Sequence, residues 1–202
     1  DMVSRGLGDV YKRQPLMWTF HKQDLPVLGF DIDEAKVKNL KLGTPYIKHL
    51  GKEMMQSLAK SATCDVTTDF SRLKEADALL LCVPTPLNQY REPDMSYIIS
   101  TTESVAHYLR EGQLVVLEST TYPGTTEEVL IPLLEKYSGL TAGKDFYVAY
   151  SPEREDPGNP NFNTAKIPKV VGGHGDDALE LAKALYDTVI VQTVPVRDTK
   201  TA

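Results

Sequence analysis

The sequence predicts an open, doubly wound α/β sheet whose strands run mostly parallel. Three observations predict it. Strand-length apolar runs alternate with helix-length segments along most of the chain. The strongest runs, DALLLCV at 77–83 and QLVVLE at 113–118, are continuously apolar, as expected where helices cover both faces of a parallel sheet. Several runs end in polar or turn-forming residues, which parallel strands deliver to one edge.

Composition sets the frame. A chain of 202 residues can bury a core as one large or two small domains. Its 41% hydrophobic and 25% charged residues are those of an ordinary soluble protein. A formal charge of -6 argues against broad electrostatic binding to nucleic acid or anionic membrane. No apolar run approaches the ~20 residues that span a bilayer, and the N-terminus lacks the order of a secretory signal. The two cysteines, Cys64 and Cys82, make neither a disulfide framework nor a metal site. Cys82 lies inside ALLLCV and reads as a buried core thiol. The expectation is a cytoplasmic protein with no nucleic-acid, membrane or metal partner.

Residues 1–14, DMVSRGLGDVYKRQ, fit poorly with the rest of the chain. Gly6 and Gly8 give G-x-G, but the third position of a dinucleotide-binding turn is then Tyr11, which would wedge helix and strand apart. Residues 1–5 are short and polar for a buried first strand. This segment reads as a non-native or disordered leader, and the sheet is expected to lack its native first strand and glycine-rich turn. Residues 15–202 are the predicted domain.

From Pro15 the pattern is regular. Leu16, Met17, Trp18 and Phe20 read as the latter part of a helix, and VLGFD at 27–31 as a buried strand. Helices follow at 34–40 and 51–60, then a strand at 64–68 and a short helix at 70–76 with Ser71 as its cap. The strand at 77–83 stops at Pro84-Thr85-Pro86, where proline cannot continue a ladder. A polar loop at 87–94, a helix at 95–109, the strand at 113–118 and a helix at 126–137 come next. DFYVAY at 145–150 is a strand, 169–171 a short strand, 176–186 a helix and 189–194 the last strand. Residues 199–202 end without a recognisable stop, which reads as the end of a fragment.

Asp31, Pro84-Thr85-Pro86, Ser119-Thr120-Thr121 and Ser151-Pro152-Glu153-Arg154 all follow strands. In such a sheet ligands bind outside the carboxyl ends of the strands, at the switch point. An acid ending the second strand accepts hydrogen bonds from an adenosine ribose, although capping of the next helix is an equal reading of Asp31 alone. Singly, Thr85 and Thr120 are turn hydroxyls and residues 153–156 a solvated loop. Together they form a crevice for an anionic, sugar-bearing ligand.

The segments VLGFDIDEAKV, LLCVPTPLNQYREPDMSYI, VVLESTTYPGTTEEVL and YSPEREDPGN resemble the N-terminal, Rossmann-like NAD-binding domain of the UDP-glucose/GDP-mannose dehydrogenase family. Within it, REPDMSYI with YSPEREDPGN is most similar to the UDP-N-acetyl-D-glucosamine 6-dehydrogenases, with the UDP-glucose enzymes next. The resemblance implies oxidation of a UDP-sugar C6 alcohol to a carboxylate with two NAD molecules, by an enzyme that commonly forms homo-oligomers. It implies that Asp31 binds the adenosine ribose, with Lys36 supporting the same end. It places Thr85 along the dinucleotide path, and Thr120 near the nicotinamide, holding a water. Glu153 matches the acid that assists catalysis, and Arg154 and Glu155, with Glu153, lie along the UDP-sugar. The family's three turn glycines fall at Gly8, Val10 and Arg13, so one matches and the phosphate contacts do not carry over. The family's nucleophilic cysteine and lysine lie beyond residue 202, so the chain alone is expected not to turn over substrate and to bind NAD weakly. A non-catalytic nucleotide-binding module is the reading from a different class.

Overall fold

The computed structural model describes residues 2–5, 10–44, 52–87, 93–152 and 167–202. The elements are β1 (Met2–Arg5), α1 (Val10–His21), β2 (Val27–Phe30), α2 (Glu34–Lys41), α3 (Lys52–Lys60), β3 (Cys64–Thr67) and β4 (Ala78–Leu81). They continue with α4 (Ser96–Ala106), β5 (Leu114–Leu117), α5 (Ile131–Ser138), β6 (Tyr147–Tyr150), β7 (Lys169–Gly173), α6 (Asp176–Asp187) and β8 (Thr193–Val196). The strands form one eight-stranded sheet in the order β3-β2-β1-β4-β5-β6-β7-β8. Every pair is parallel except β6–β7, which is antiparallel. The reversal of strand order on either side of β1 is the doubly wound, Rossmann-like arrangement.

The sheet has a first strand, contrary to expectation. Met2–Arg5 is the third of its eight strands, with Met2 level with Val27 on one side and Ala78 on the other. A strand in a ladder is held by backbone amides and carbonyls, so the polar residues of MVSR did not bar it from the slot between β2 and β4. The glycine-bearing segment that follows, 6–9, lies outside the described residues. Val10 opens α1 and Arg13 lies within it, so two of the three expected glycine positions are helical residues with side chains.

Side-chain alternation sorts the core into two layers. Ala78, Leu80 and Cys82 join Leu114 and Val116 on the face covered by Leu16 and Phe20 of α1 and Ala182 and Tyr186 of α6. Leu79 and Leu81 join Val115 and Leu117 on the opposite face, under Val105 of α4 and Ile131 and Leu134 of α5. Leu79, Leu80, Val115, Val116 and Leu117 are fully buried. Each such side chain contributes about 1.5–3 kcal/mol from removal of apolar area from water. Cys82 is buried as expected.

Three local features depart from the sequence reading. The segment at Phe70–Glu75 is a 3-10 helix, capped by Asp69, whose carboxylate accepts from the Ser71 amide, so Ser71 is not the cap. The expected helix at 126–137 opens as a π-helix over Thr126–Leu130, in which the Ile131 amide reaches back to the Thr126 carbonyl. Pro132 follows; it has no N–H and its ring crowds the carbonyl four residues back, and the wider turn relieves that conflict. Val189 and Ile190 are core residues after α6 rather than the last strand, which is Thr193–Val196. At Gly173 the backbones of β7 and α6 meet so closely that an added Cβ would lie 2.3 Å from the Leu179 nitrogen.

Candidate functional site at the carboxyl edge of the sheet

Because β2, β4, β5 and β6 run in one sense, Asp31, Pro84-Thr85-Pro86, Ser119-Thr120-Thr121 and Ser151-Pro152 emerge on the same edge. Glu153, Arg154 and Glu155 lie outside the described residues. The remaining predicted residues form two groups.

The first group is at the end of β2. The two acids of DID divide the work. Asp33 is the N-cap of α2, and its Oδ1 accepts from the amides of Ala35 at 2.9 Å and Lys36 at 3.3 Å. Asp31 is therefore not the helix cap. Its Oδ1 accepts from the Asp33 amide at 2.9 Å, which fixes the carboxylate plane. Its Oδ2 lies 4.0 Å from Lys36 Nζ, which also stands 3.9 Å from Asp33 Oδ2. The Asp31 side chain is 14% exposed, so its carboxylate is oriented yet reachable.

The second group surrounds a crevice of about 480 Å³ between the ends of β4 and β5, whose walls include Pro84, Thr85, Ser119, Thr120 and Tyr122. Thr85 Oγ1 donates to the Thr120 carbonyl at 2.7 Å, so the two predicted threonines are directly joined. Ser119 Oγ donates to the Val83 carbonyl at 2.7 Å and accepts from the Val83 amide at 3.0 Å. It thus continues, by side chain, the ladder that Pro84 would end. The Tyr150 hydroxyl donates to the Ser119 carbonyl at 3.1 Å. With its carbonyl held from Thr85, Thr120 is presented at the exposed rim of the crevice.

Beneath this turn lies a group that sequence reasoning passed over. Glu118 ends the strand LVVLE, and its side chain is fully buried. Its Oε1 accepts from the Tyr186 hydroxyl of α6 and lies 3.4 Å from Lys169 Nζ of β7, itself 5% exposed. Lys169 also sits over the Tyr186 ring, 5.0 Å from its centroid, and the Cys82 thiol donates to Glu118 Oε2 at 3.6 Å. Taking such an ion pair out of water costs several kcal/mol per ion before pairing offsets it. The available signal was a lone acid closing an otherwise apolar strand, together with a lysine opening KVVGG. Among the described residues no group of three or more His, Cys, Asp or Glu could hold a metal ion, and no helix is long and apolar enough to cross a membrane.

A sequence model described as the UDP-glucose/GDP-mannose dehydrogenase family, NAD binding domain, matches residues 6–190. The chain belongs to this family. Among curated relatives, the chain is 38% identical over 189 residues to protein CapL of Staphylococcus aureus, covering 94% of this chain and 43% of that protein. It is 36% identical over 185 residues to the UDP-N-acetyl-D-glucosamine 6-dehydrogenase of Salmonella typhi, covering 92% and 42%. The crystal structure of an NDP-N-acetyl-D-galactosaminuronic acid dehydrogenase from Methanosarcina mazei Go1 superposes with a TM-score of 0.88 at 33% identity, over 99% of this chain and 44% of that one. The chain thus spans less than half the length of the relatives it matches.

The described residues at this edge fit NAD in their chemistry and in the room they leave. Asp31, with an oriented and partly exposed carboxylate, suits a ribose diol, and the crevice at Thr85 and Thr120 offers room and hydroxyls across the switch point.

Proposed function

We propose that this chain is the coenzyme-binding part, residues 15–202 with β1 in front, of an NAD-dependent nucleotide-sugar 6-dehydrogenase. Its substrate on this reading is a UDP-sugar, UDP-N-acetylglucosamine in particular, oxidised at C6 from alcohol to carboxylate. The observation that carries the proposal is the convergence on one sheet edge of the Asp31–Lys36 pair and the crevice closed by the Thr85–Thr120 hydrogen bond. The name of the Salmonella typhi relative favours the N-acetylated sugar over UDP-glucose.

NAD supplies the hydride acceptor for each of the two oxidations. The chain's residues bind and orient. Asp31 accepts hydrogen bonds from the adenosine ribose, and its negative charge disfavours a 2′-phosphate at that position. Lys36 steadies the carboxylate from α2. Thr85 holds the Thr120 carbonyl, which leaves the Thr120 hydroxyl to retain a water close to the reacting carbon. Glu153 takes up or relays the proton lost by the C6 hydroxyl, a task that requires hydrogen-bond reach and a matched pKa. Arg154 and Glu155, with Glu153, contact the UDP-sugar. On the same reading the whole protein is a cytoplasmic homo-oligomer.

The test is a chimera in which residues 1–202 precede the C-terminal half of the Salmonella typhi relative. Incubation with UDP-N-acetylglucosamine and NAD should yield two NADH per sugar, with NADP a poor replacement. Glu153→Gln should lower turnover by roughly 100-fold or more. Normal turnover in that variant would remove Glu153 from the mechanism. Sugar-independent NAD binding without any turnover would favour a non-catalytic nucleotide-binding module.

A further inference from the structure

The buried pair Glu118–Lys169 is unexplained by stability. Hydrophobic residues of similar size at the two positions would avoid the desolvation cost, and replacement of buried ion pairs in this way is often neutral or stabilising. The pair occupies a particular place, however. Glu118 is the residue immediately before Ser119-Thr120-Thr121 and itself lines the crevice. Its backbone amide extends the β4–β5 ladder by donating to the Leu81 carbonyl at 2.9 Å. Its carboxylate is gripped from α6 by Tyr186 and from β7 by Lys169. Neither grip belongs to a strand adjacent to β5, since β6 lies between β5 and β7.

We propose that Glu118 is a positioning residue for the turn at 119–121, with Lys169 and Tyr186 as the fixtures that hold it. A carboxylate is directional: Oε1, held by Tyr186 and Lys169, and Oε2, accepting from the Cys82 thiol, together set both the depth and the rotation of its residue. An apolar side chain at 118 would pack without specifying either. Rotation at 118 is passed to Ser119, whose hydroxyl must meet both the carbonyl and the amide of Val83. From there it reaches Thr120, whose carbonyl must meet Thr85. The inference rests on the dehydrogenase reading only for its functional consequence. The positioning itself is a property of the chain without ligand.

The test separates the two. In Glu118→Gln, Lys169 is left buried without its counter-charge and the thermal midpoint falls. In Glu118→Leu/Lys169→Met both charges and the directional acceptor are gone, and the midpoint returns to near that of the parent. Amide hydrogen exchange then reports position. The Val83 amide is protected by the Ser119 hydroxyl, whereas Val116 in mid-sheet reports global opening. The expected result is that the double variant speeds exchange at Val83 about tenfold or more while Val116 changes less than about twofold. Equal changes at Val83 and Val116 would make the pair merely structural and overturn the proposal. Titration with NAD forms the second arm. Binding weakened by about fivefold or more in the double variant supports transmission to the coenzyme site. If Val83 responds and NAD affinity does not, positioning stands for the turn but its functional consequence is overturned. If neither the parent chain nor its chimera with the C-terminal half of the Salmonella typhi relative binds NAD, the dehydrogenase reading fails while the exchange comparison still decides.

Discussion

Asp31 and Asp33, two residues apart, show how one side-chain type takes two roles. Asp33 spends an oxygen on two α2 amides, and Asp31 keeps Oδ2 for Lys36 and for whatever approaches the edge. Asp31→Ala should raise the NAD dissociation constant by about tenfold or more, the worth of a charged hydrogen bond, with little loss of thermal stability by calorimetry. Asp33→Ala should do the reverse, costing ~1 kcal/mol as a lost cap. At Cys64, burial and then the neighbouring Asp65 carboxylate push the thiol up to about 11. At pH 8 it should therefore react with iodoacetamide well below the rate of a free cysteine, since only thiolate attacks. Asp198 is the opposite case. Hydrogen bonds from the Thr201 hydroxyl, from Arg197 and from the Thr201 amide hold its carboxyl down to about 2. A depressed folded-state pKa means the stabilising interaction is intact above the unfolded value, about 3.9. It is lost as pH falls from there through about 2. An NMR titration of the Asp198 carboxyl should show that midpoint, and Thr201→Val should raise it.

At the scale of elements, strands buried on both faces were legible because their apolar runs are continuous; β4 and β5 fall inside the predicted segments. Helices were legible through spacing, and α6 differs by one residue from its prediction. What escaped were features that spacing does not encode. The polarity of MVSR concealed β1, because an interior ladder draws on backbone groups that every sequence shares. Pro132 was visible, but the π-turn that accommodates it depends on how the helix must dock, which one chain segment does not reveal. The contact between Gly173 and Leu179 is likewise tertiary. Gly173→Ala should push α6 off β7 and destabilise by roughly 3 kcal/mol, read as a lowered urea midpoint. In the candidate site, sequence singled out Thr85, Thr120 and the Asp–Lys pair. It passed over Glu118 because a buried charge makes sense only once its partners, 51 and 68 residues away, are seen to surround it.

For the whole molecule, the sequence around the start of α1 is where the family pattern and this chain diverge. Val10 and Arg13 stand where the resemblance asks for glycine. A pyrophosphate reaches backbone amides at a helix start where glycine leaves them uncovered. Val10→Gly/Arg13→Gly should tighten NAD binding by about tenfold or more despite ~1 kcal/mol of lost helix propensity per glycine, measured by calorimetric titration. The position of β1 has a different consequence. β1 is an interior strand paired on both sides, and β2 and β4 meet only through it. A variant from which residues 2–5 are deleted would bare the edges of β2 and β4 together. Unpaired edges flanked by apolar faces recruit other chains. The trimmed protein should therefore scatter light and sediment as aggregates. The seam of this domain runs through its interior, and β1 is the thread that closes it.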